Sequence, residues 1–297
     1  MKRFLFALCI ILLVIGNTAS GWWGGGHDIV TQAAVKALPE ELPEFFRSGV
    51  RMIAHCSYDA DMAKNRGAPL LLAAEHPEHY LDLELLEGHP LPKTRPEFIQ
   101  LCAELNVKPE KVGFVPYAVA EWTERLAIAF AEHRQWPKNP FIQHKCTVYA
   151  GFVAHYAQDM CQPLHLTIHF NGRIQPDGST VHKGIHEKVD ALIEYLKLDP
   201  NDLAQGQKLE PLEDVMDGIV KEFEAGFSLI DRVYELADDF PSTRGEKWTP
   251  VPEVVDFATE RAREATRFTA VLYLTAWELS KEINLPGWLD HSKDSEK

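Results

Sequence analysis

The sequence predicts an all-α fold in a single helical domain, on three observations. Apolar residues recur at three- and four-residue intervals in five long stretches, prolines gather between those stretches, and convincing alternating strands are missing. The pattern is clearest in VPYAVAEWTERLAIAFAEHRQW (Val115–Trp136), CTVYAGFVAHYAQDM (Cys146–Met160) and VVDFATERAREATRFTAVLYLTAWELSK (Val254–Lys281). GIHEKVDALIEYLK (Gly184–Lys197) and LEDVMDGIVKEFEAGFSLIDRVYEL (Leu212–Leu236) read the same way. An apolar stripe at this spacing lines one side of a helix and needs another element to cover it. Pro137, Pro140, Pro163, Pro200 and Pro211 lie where helices should stop, because the ring removes a donor and crowds the preceding turn. No Gly/Ser linker, low-complexity tract or internal repeat divides the chain.

The N-terminus reads as an export signal. Lys2 and Arg3 precede the apolar run FLFALCIILLVIG (Phe4–Gly16), which falls short of the roughly 20 residues that span a bilayer. A small-residue site with Ala19 and Gly21 follows, so residues 1–21 form the expected leader and 22–297 the mature domain, with Trp22 at its start. A retained anchor is the alternative; cleavage leaves no membrane anchor and a secreted or periplasmic protein. The mature chain carries 28 basic against 44 acidic residues, a net charge of −16. That balance disfavours duplex binding by phosphate neutralisation, but permits an enzyme that meets phosphate through metal ions. Four mature cysteines, Cys56, Cys102, Cys146 and Cys161, allow three pairings; disulfides or buried thiols are both compatible with their spacing.

The densest chemistry is HYAQDMCQPLH (His155–His165). His155 and Asp159 stand four apart and share a helix face, and Pro163 ends the helix so that His165 turns back towards it. Imidazole and carboxylate are good zinc ligands, and a helix holds them at fixed separation. GIHEKVD repeats the spacing with His186 and Asp190, while DADMAK offers Asp61 and EHYLDLE offers His79 and Asp82. Such groups are costly to bury unless paired or metal-bound.

Taken in order, these motifs resemble the phospholipase C/S1–P1 nuclease superfamily. The likeness runs from Trp22 to about Asp190. It comprises WWGGGH against W-x-x-x-G-H, ADMAK against A-D-x-x-R, HYLDL against H-F-I-D, HYAQDMCQPLH against H-x3-D-x-x-Q-P-L-H, and HEKVD against H-x3-D. The resemblance implies a helical fold with a trinuclear zinc cleft. Trp22, through its freed amine and carbonyl oxygen, would hold one Zn2+ with His27 and Asp159. Asp61, His79, His155 and Asp159 would hold a second, with Asp159 bridging, and His165, His186 and Asp190 a third, more open ion. The tryptophans and glycines of ASGWWGGGH thereby acquire a purpose, the glycines allowing unusual dihedrals and close approach. Asp61 is expected to orient or deprotonate the attacking water. Lys64 stands where the nuclease motif has Arg and either contacts phosphate or is an exposed lysine. Asp82 is expected to orient a ligand imidazole, and His169 and His182 to have core or surface roles, with substrate binding the alternative.

The implied activity is zinc-dependent phosphodiester hydrolysis, with no stable protein partner. Within it, a nuclease acting on single-stranded nucleic acid ranks first. The Trp22–His27 spacing, the QPLH wording and Asp190 in place of Glu favour it. Against it, the Gly-Gly-Asn segment of the nucleases has only Asn171–Gly172 as a counterpart in Leu166–Gly184. A phospholipase C acting on phospholipid head groups is the alternative, although no segment marks an apolar rim. A non-catalytic zinc-binding domain is the third reading. Trp23, Tyr58, Tyr80 and Phe170 are candidates for base stacking.

Overall fold

The computed structural model describes residues 22–242 and 247–291. The expected leader, residues 1–21, lies outside them. Among the described residues the chain is all-α apart from a two-stranded hairpin, Arg173–Ile174 paired antiparallel with Thr180–Val181. That hairpin falls where no alternation exists to announce it, and its strands are only two residues long. Among the described residues, no helix is long and apolar enough to cross a membrane.

The helix Pro140–Met160 occupies the centre. Its start is specified locally: Pro140 is pre-shaped for the first turn, and the Asn139 side chain accepts from the backbone N–H groups of Phe141 and Ile142. It packs most extensively on Val115–Gln135, with Val50–Cys56, Pro252–Leu279 and Gly24–Ala37 completing the bundle. Phe46 joins Phe130 and Tyr273 edge-on at 5.1 and 5.3 Å in the resulting core. A second apolar cluster, including Leu164, Val189, Leu192, Val233 and Phe257, lies behind the helix Ile185–Asp190.

The predicted helices are present, with informative changes at their ends. Pro140, Pro163 and Pro200 each open the following element rather than merely closing the last one, since a missing N–H costs nothing in a first turn. Gly184–Lys197 divides at Ala191 into Ile185–Asp190 and Leu192–Leu196, and Leu212–Leu236 divides into Val215–Phe227 and Ile230–Glu235. Continuous apolar periodicity does not register such short breaks. The disulfide expectation is corrected: Cys56, Cys102, Cys146 and Cys161 are four separate buried thiols. With a core this large, burial rather than cross-linking accounts for them.

One close contact ties the bundle to the centre described below. A Cβ on Gly151 would lie 2.4 Å from the Cys56 Cβ and 2.7 Å from the Cys56 carbonyl carbon. Glycine therefore lets Val50–Cys56 press onto the central helix one turn before His155. Gly151→Val should wedge these helices apart and cost about 1–3 kcal/mol, the usual penalty of overpacking. An unchanged urea midpoint in that variant would contradict the contact.

Candidate metal centre

The last turns of the central helix bring His155 and Asp159 to the heart of the molecule, both fully buried. Asp159 divides its two oxygens between different neighbours. Oδ1 lies 3.3 Å from His27 Nε2, while Oδ2 lies 3.0 Å from His79 Nδ1 and 3.4 Å from His155 Nε2. His27 Nε2 and Asp159 Oδ1 are buried and make no hydrogen bond, although they face each other. Two orphaned donor atoms at that separation fit an ion between them.

A second group overlaps the first. His155 Nε2 and His79 Nδ1 stand 3.0 Å apart, and Asp61 Oδ1 is 3.8 and 4.0 Å from them. The third group joins His186 Nε2 to His165 Nε2 at 3.1 Å and to Asp190 Oδ2 at 3.2 Å. Two imidazole nitrogens so close cannot both carry protons comfortably, and a shared cation resolves the conflict. The donor atoms of His27, His155 and Asp159, of Asp61, His79 and His155, and of His165, His186 and Asp190 lie within 4.8 Å in each group.

The fold orients these rings through their other nitrogens. His155 Nδ1–H donates to the Ser57 carbonyl at 2.8 Å, the residue after Cys56 and hence a consequence of the Gly151 contact. His165 Nδ1–H donates to the His79 carbonyl at 2.6 Å. Gln158 Nε2 donates to Thr31 at 2.9 Å, which leaves Gln158 Oε1 to accept from His27 Nδ1 at 2.7 Å. Gln162 does the same for the third group, donating to Asp190 Oδ1 at 2.7 Å. Segment 77–82 is pinned from two sides: Leu81 N–H donates to the His165 carbonyl, and Asp82 N–H to that of Val112.

Trp22 is buried with its indole N–H on the Gln158 carbonyl at 3.1 Å, and the Trp23 N–H donates to the Asp190 carbonyl at 3.2 Å. Trp22 and Trp23 thus lie against two of the three groups. Of the two roles expected of the glycines, close approach is present and unusual dihedrals are not. Gly24–Gly26 open a regular helix without positive φ, and serve close packing alone. A Cβ would meet the Tyr58 ring at 2.8 Å from Gly24 and Glu194 at 2.7 Å from Gly25.

Charge is distributed unevenly. Burial would raise the Asp159 carboxyl, but the facing His155 and His165 imidazoles and the hydrogen bonds of His155 and His27 hold it well below the usual range. Burial also opposes ionisation of Asp61, yet His155 and Lys64 bring it down to about 2. Burial, aided by the Lys64 charge, drives His79 down to about 3, so this ring is a neutral donor. Burial pushes Asp190 well above the carboxylate range in spite of Gln162. A carboxyl that resists ionisation in the bare protein is one that a cation would stabilise.

Lys64 is buried with Nζ 2.6 Å from Asp61 Oδ1, not an exposed lysine. Asp82 does not take the role expected of it. The imidazoles are oriented by Gln158 and by the Ser57 and His79 carbonyls, while Asp82 lines the cleft, its carboxyl raised to about 7 by burial and by Glu84. His169 accepts from the Ile174 N–H inside the hairpin segment, and His182 lies 3.6 Å from Asp238; both sit apart from the three groups.

The cleft is a cavity of about 240 Å³ lined by His79, His165 and His186 with Tyr80, Asp82 and Phe170. Of the four aromatic candidates, Tyr80 and Phe170 line it, whereas Trp23 packs on Tyr195 and Tyr58 covers Gly24. Glu75 was missed by sequence reasoning: its Oε1 stands 3.7 Å from His79 Nε2 and accepts from the Tyr156 hydroxyl. The i,i+4 relation to His79 was the available signal, masked by the intervening Pro77. A run of exposed apolar side chains was missed too. The helix Pro69–Glu75 buries none of its residues; Leu70 is 89% and Leu71 47% exposed, and Met62 beside Asp61 is 66% exposed.

No protein-family profile and no curated protein matches the chain. Among solved structures, an alpha toxin from Clostridium absonum aligns at 14% identity with a TM-score of 0.46, covering 94% of this chain and 66% of the toxin. An alpha-toxin from an avian strain of Clostridium perfringens aligns at 12% identity with a TM-score of 0.40, covering 90% and 66%. The chain therefore spans just under two thirds of the length of either toxin.

If the three groups are metal sites, zinc at 100–1,000 times its dissociation constant should raise stability by about 3–4 kcal/mol over the stripped protein. Gln158→Leu, which leaves His27 unoriented, should weaken zinc binding about 10–100-fold. Denaturation midpoints that do not respond to zinc would contradict both.

Proposed function

We propose that the chain is a zinc-dependent phosphodiester hydrolase of the phospholipase C/S1–P1 nuclease type, exported and processed to begin at Trp22, with phospholipid its favoured substrate. The observation that carries the hydrolase reading is the Asp159 carboxylate, whose oxygens are split between His27 and the His79–His155 pair beside a third donor group facing a cleft. In this reading Trp22, His27 and Asp159 hold one ion, Asp61, His79, His155 and Asp159 the second, and His165, His186 and Asp190 the third. Zinc bound there would supply hydroxide near neutral pH and offset negative charge on phosphate oxygens.

The chain's own groups do the positioning. Asp61 is ionised across the neutral range, so its carboxylate accepts a hydrogen from a water and orients it; with a pKa of about 2 it is a poor proton abstractor. Lys64 holds Asp61 at 2.6 Å and places a positive charge at the same spot, which favours a positioning role over an independent phosphate contact. His165 and His186, in the cleft wall with Phe170, face the side from which a phosphate enters. Closing rings and apolar side chains around it strengthen every charge interaction by excluding water.

Two observations favour lipid: the exposed leucines and methionine in the segment between Asp61 and Glu75, and a formal net charge of −14, which repels a polyanion. A second reading, a nuclease, is favoured by the Tyr80–Asp82–Phe170 lining, where a base could stack on a ring and meet a carboxyl. Side-by-side assays of the zinc-loaded protein on phosphatidylcholine, single-stranded DNA and RNA separate them; cleavage of nucleic acid alone reverses the order. Asp159→Asn should lose at least about 100-fold in activity on any substrate, given that it serves two ions; full activity would refute the assignment. An extra residue ahead of Trp22 should reduce zinc content by about one ion, because the α-amine is then displaced.

A further inference from the structure

We infer that Glu75 is the positioning residue for His79: its carboxylate takes the Nε2–H of that ring and so turns the Nδ1 lone pair towards Asp61, His155 and Asp159. The inference rests on the zinc-hydrolase reading above and adds a group that orients an imidazole which Gln158 and the backbone carbonyls do not serve. His27, His155, His165 and His186 all turn Nε2 towards the neighbouring donors. His79 is reversed, with Nδ1 inward, 3.0 Å from both Asp159 Oδ2 and His155 Nε2. Its Nε2 is buried, makes no hydrogen bond, and has Glu75 Oε1 3.7 Å away. A neutral imidazole carries one proton, so a ring that gives Nδ1 to a cation carries that proton on Nε2. A buried N–H needs an acceptor, and the Glu75 carboxylate stands in place for it.

The fold holds Glu75 for this role. The helix Pro69–Glu75 buries none of its residues, yet its last side chain turns inward and accepts from the Tyr156 hydroxyl. Tyr156 follows His155 on the central helix, is buried, and has its ring 5.5 Å from that of His79. One tyrosine thus sets the carboxylate against the ring it serves. Glu75 lies on the Nε2 side of His79, away from the Nδ1 side that the other donors share, so it acts through the ring rather than as a further ligand. The chemistry also differs from that at the other rings. His27 meets an amide oxygen, and His155 and His165 meet backbone carbonyls, all neutral acceptors. A carboxylate behind an imidazole fixes its tautomer and makes it the stronger donor to a cation.

Two measurements on the processed protein test this: zinc titration of the stripped form against a competing chelator, and proton–nitrogen spectra of the histidine rings in the zinc-loaded form. Glu75→Leu should weaken zinc binding about 10–100-fold. Glu75→Gln, which keeps the shape and an acceptor oxygen but loses the charge, should weaken it less and guards against a variant that fails to fold. In the parent, the zinc-loaded form should show a ring Nε2–H shifted downfield and protected from exchange. Because the other four central rings offer Nε2 to the donors, that proton marks His79. It should move upfield in Glu75→Gln and exchange freely in Glu75→Leu, a signature that mere loosening of the helix Pro69–Glu75 would not single out. Zinc affinity and a protected Nε2–H both unchanged in Glu75→Leu would overturn the inference and leave the metal centre standing. A parent that takes up no zinc would overturn the inference and the metal centre together.

Discussion

The rest of the structure depends on Asp159, a carboxylate fully buried at the end of the central helix and surrounded by imidazoles. An isolated ionised carboxylate in an apolar interior carries a penalty on the order of tens of kcal/mol. It is tolerable only if positive charge is supplied on both sides of the carboxyl. His27 lies against one oxygen and His79 and His155 against the other, and the fold sees to their placement. Gly151 admits the Cys56 backbone so that the Ser57 carbonyl orients His155. Gln158 orients His27, and the 77–82 segment is tied to residues 112–115 and to His165.

Imidazoles alone satisfy this demand badly. His79 is held neutral by burial, Asp190 resists ionisation, and His165 and His186 present nitrogens to each other. A divalent cation in each group removes all three conflicts together, since it takes neutral nitrogen and ionised oxygen as donors. The polar residues at the centre are thus a poor set of hydrogen-bonding partners and a good set of ligands. That contrast, more than the count of histidines, gives the cluster its chemical meaning.

The grouping of the candidate ligands was legible in part because helical spacing is a distance: His155–Asp159 and His186–Asp190 had to share a face wherever the helix lay. Pro163 likewise had to end the helix before His165. The orienting groups were not legible, since Ser57 contributes a carbonyl and Gln158 looks like any polar residue on a helix. Glu75 was hidden by Pro77, which turns its helix into a tighter one before His79. The helical class could be read from periodicity, but the breaks at Ala191 and at Ser228–Leu229 could not, because each interrupts only a residue or two. No sequence pattern marked Leu70 as exposed; only the fold reveals that it faces solvent. The same limit governed the cysteines, whose separation in space no spacing could supply.

The most direct measurement is the metal content of the processed, natively purified protein by elemental analysis. The account predicts zinc bound in stoichiometric amount, close to three ions per chain, and a clear fall when Asp159 is replaced by Asn. Protein free of zinc that refuses it on reconstitution, yet folds and keeps the same stability, would contradict the account at its root.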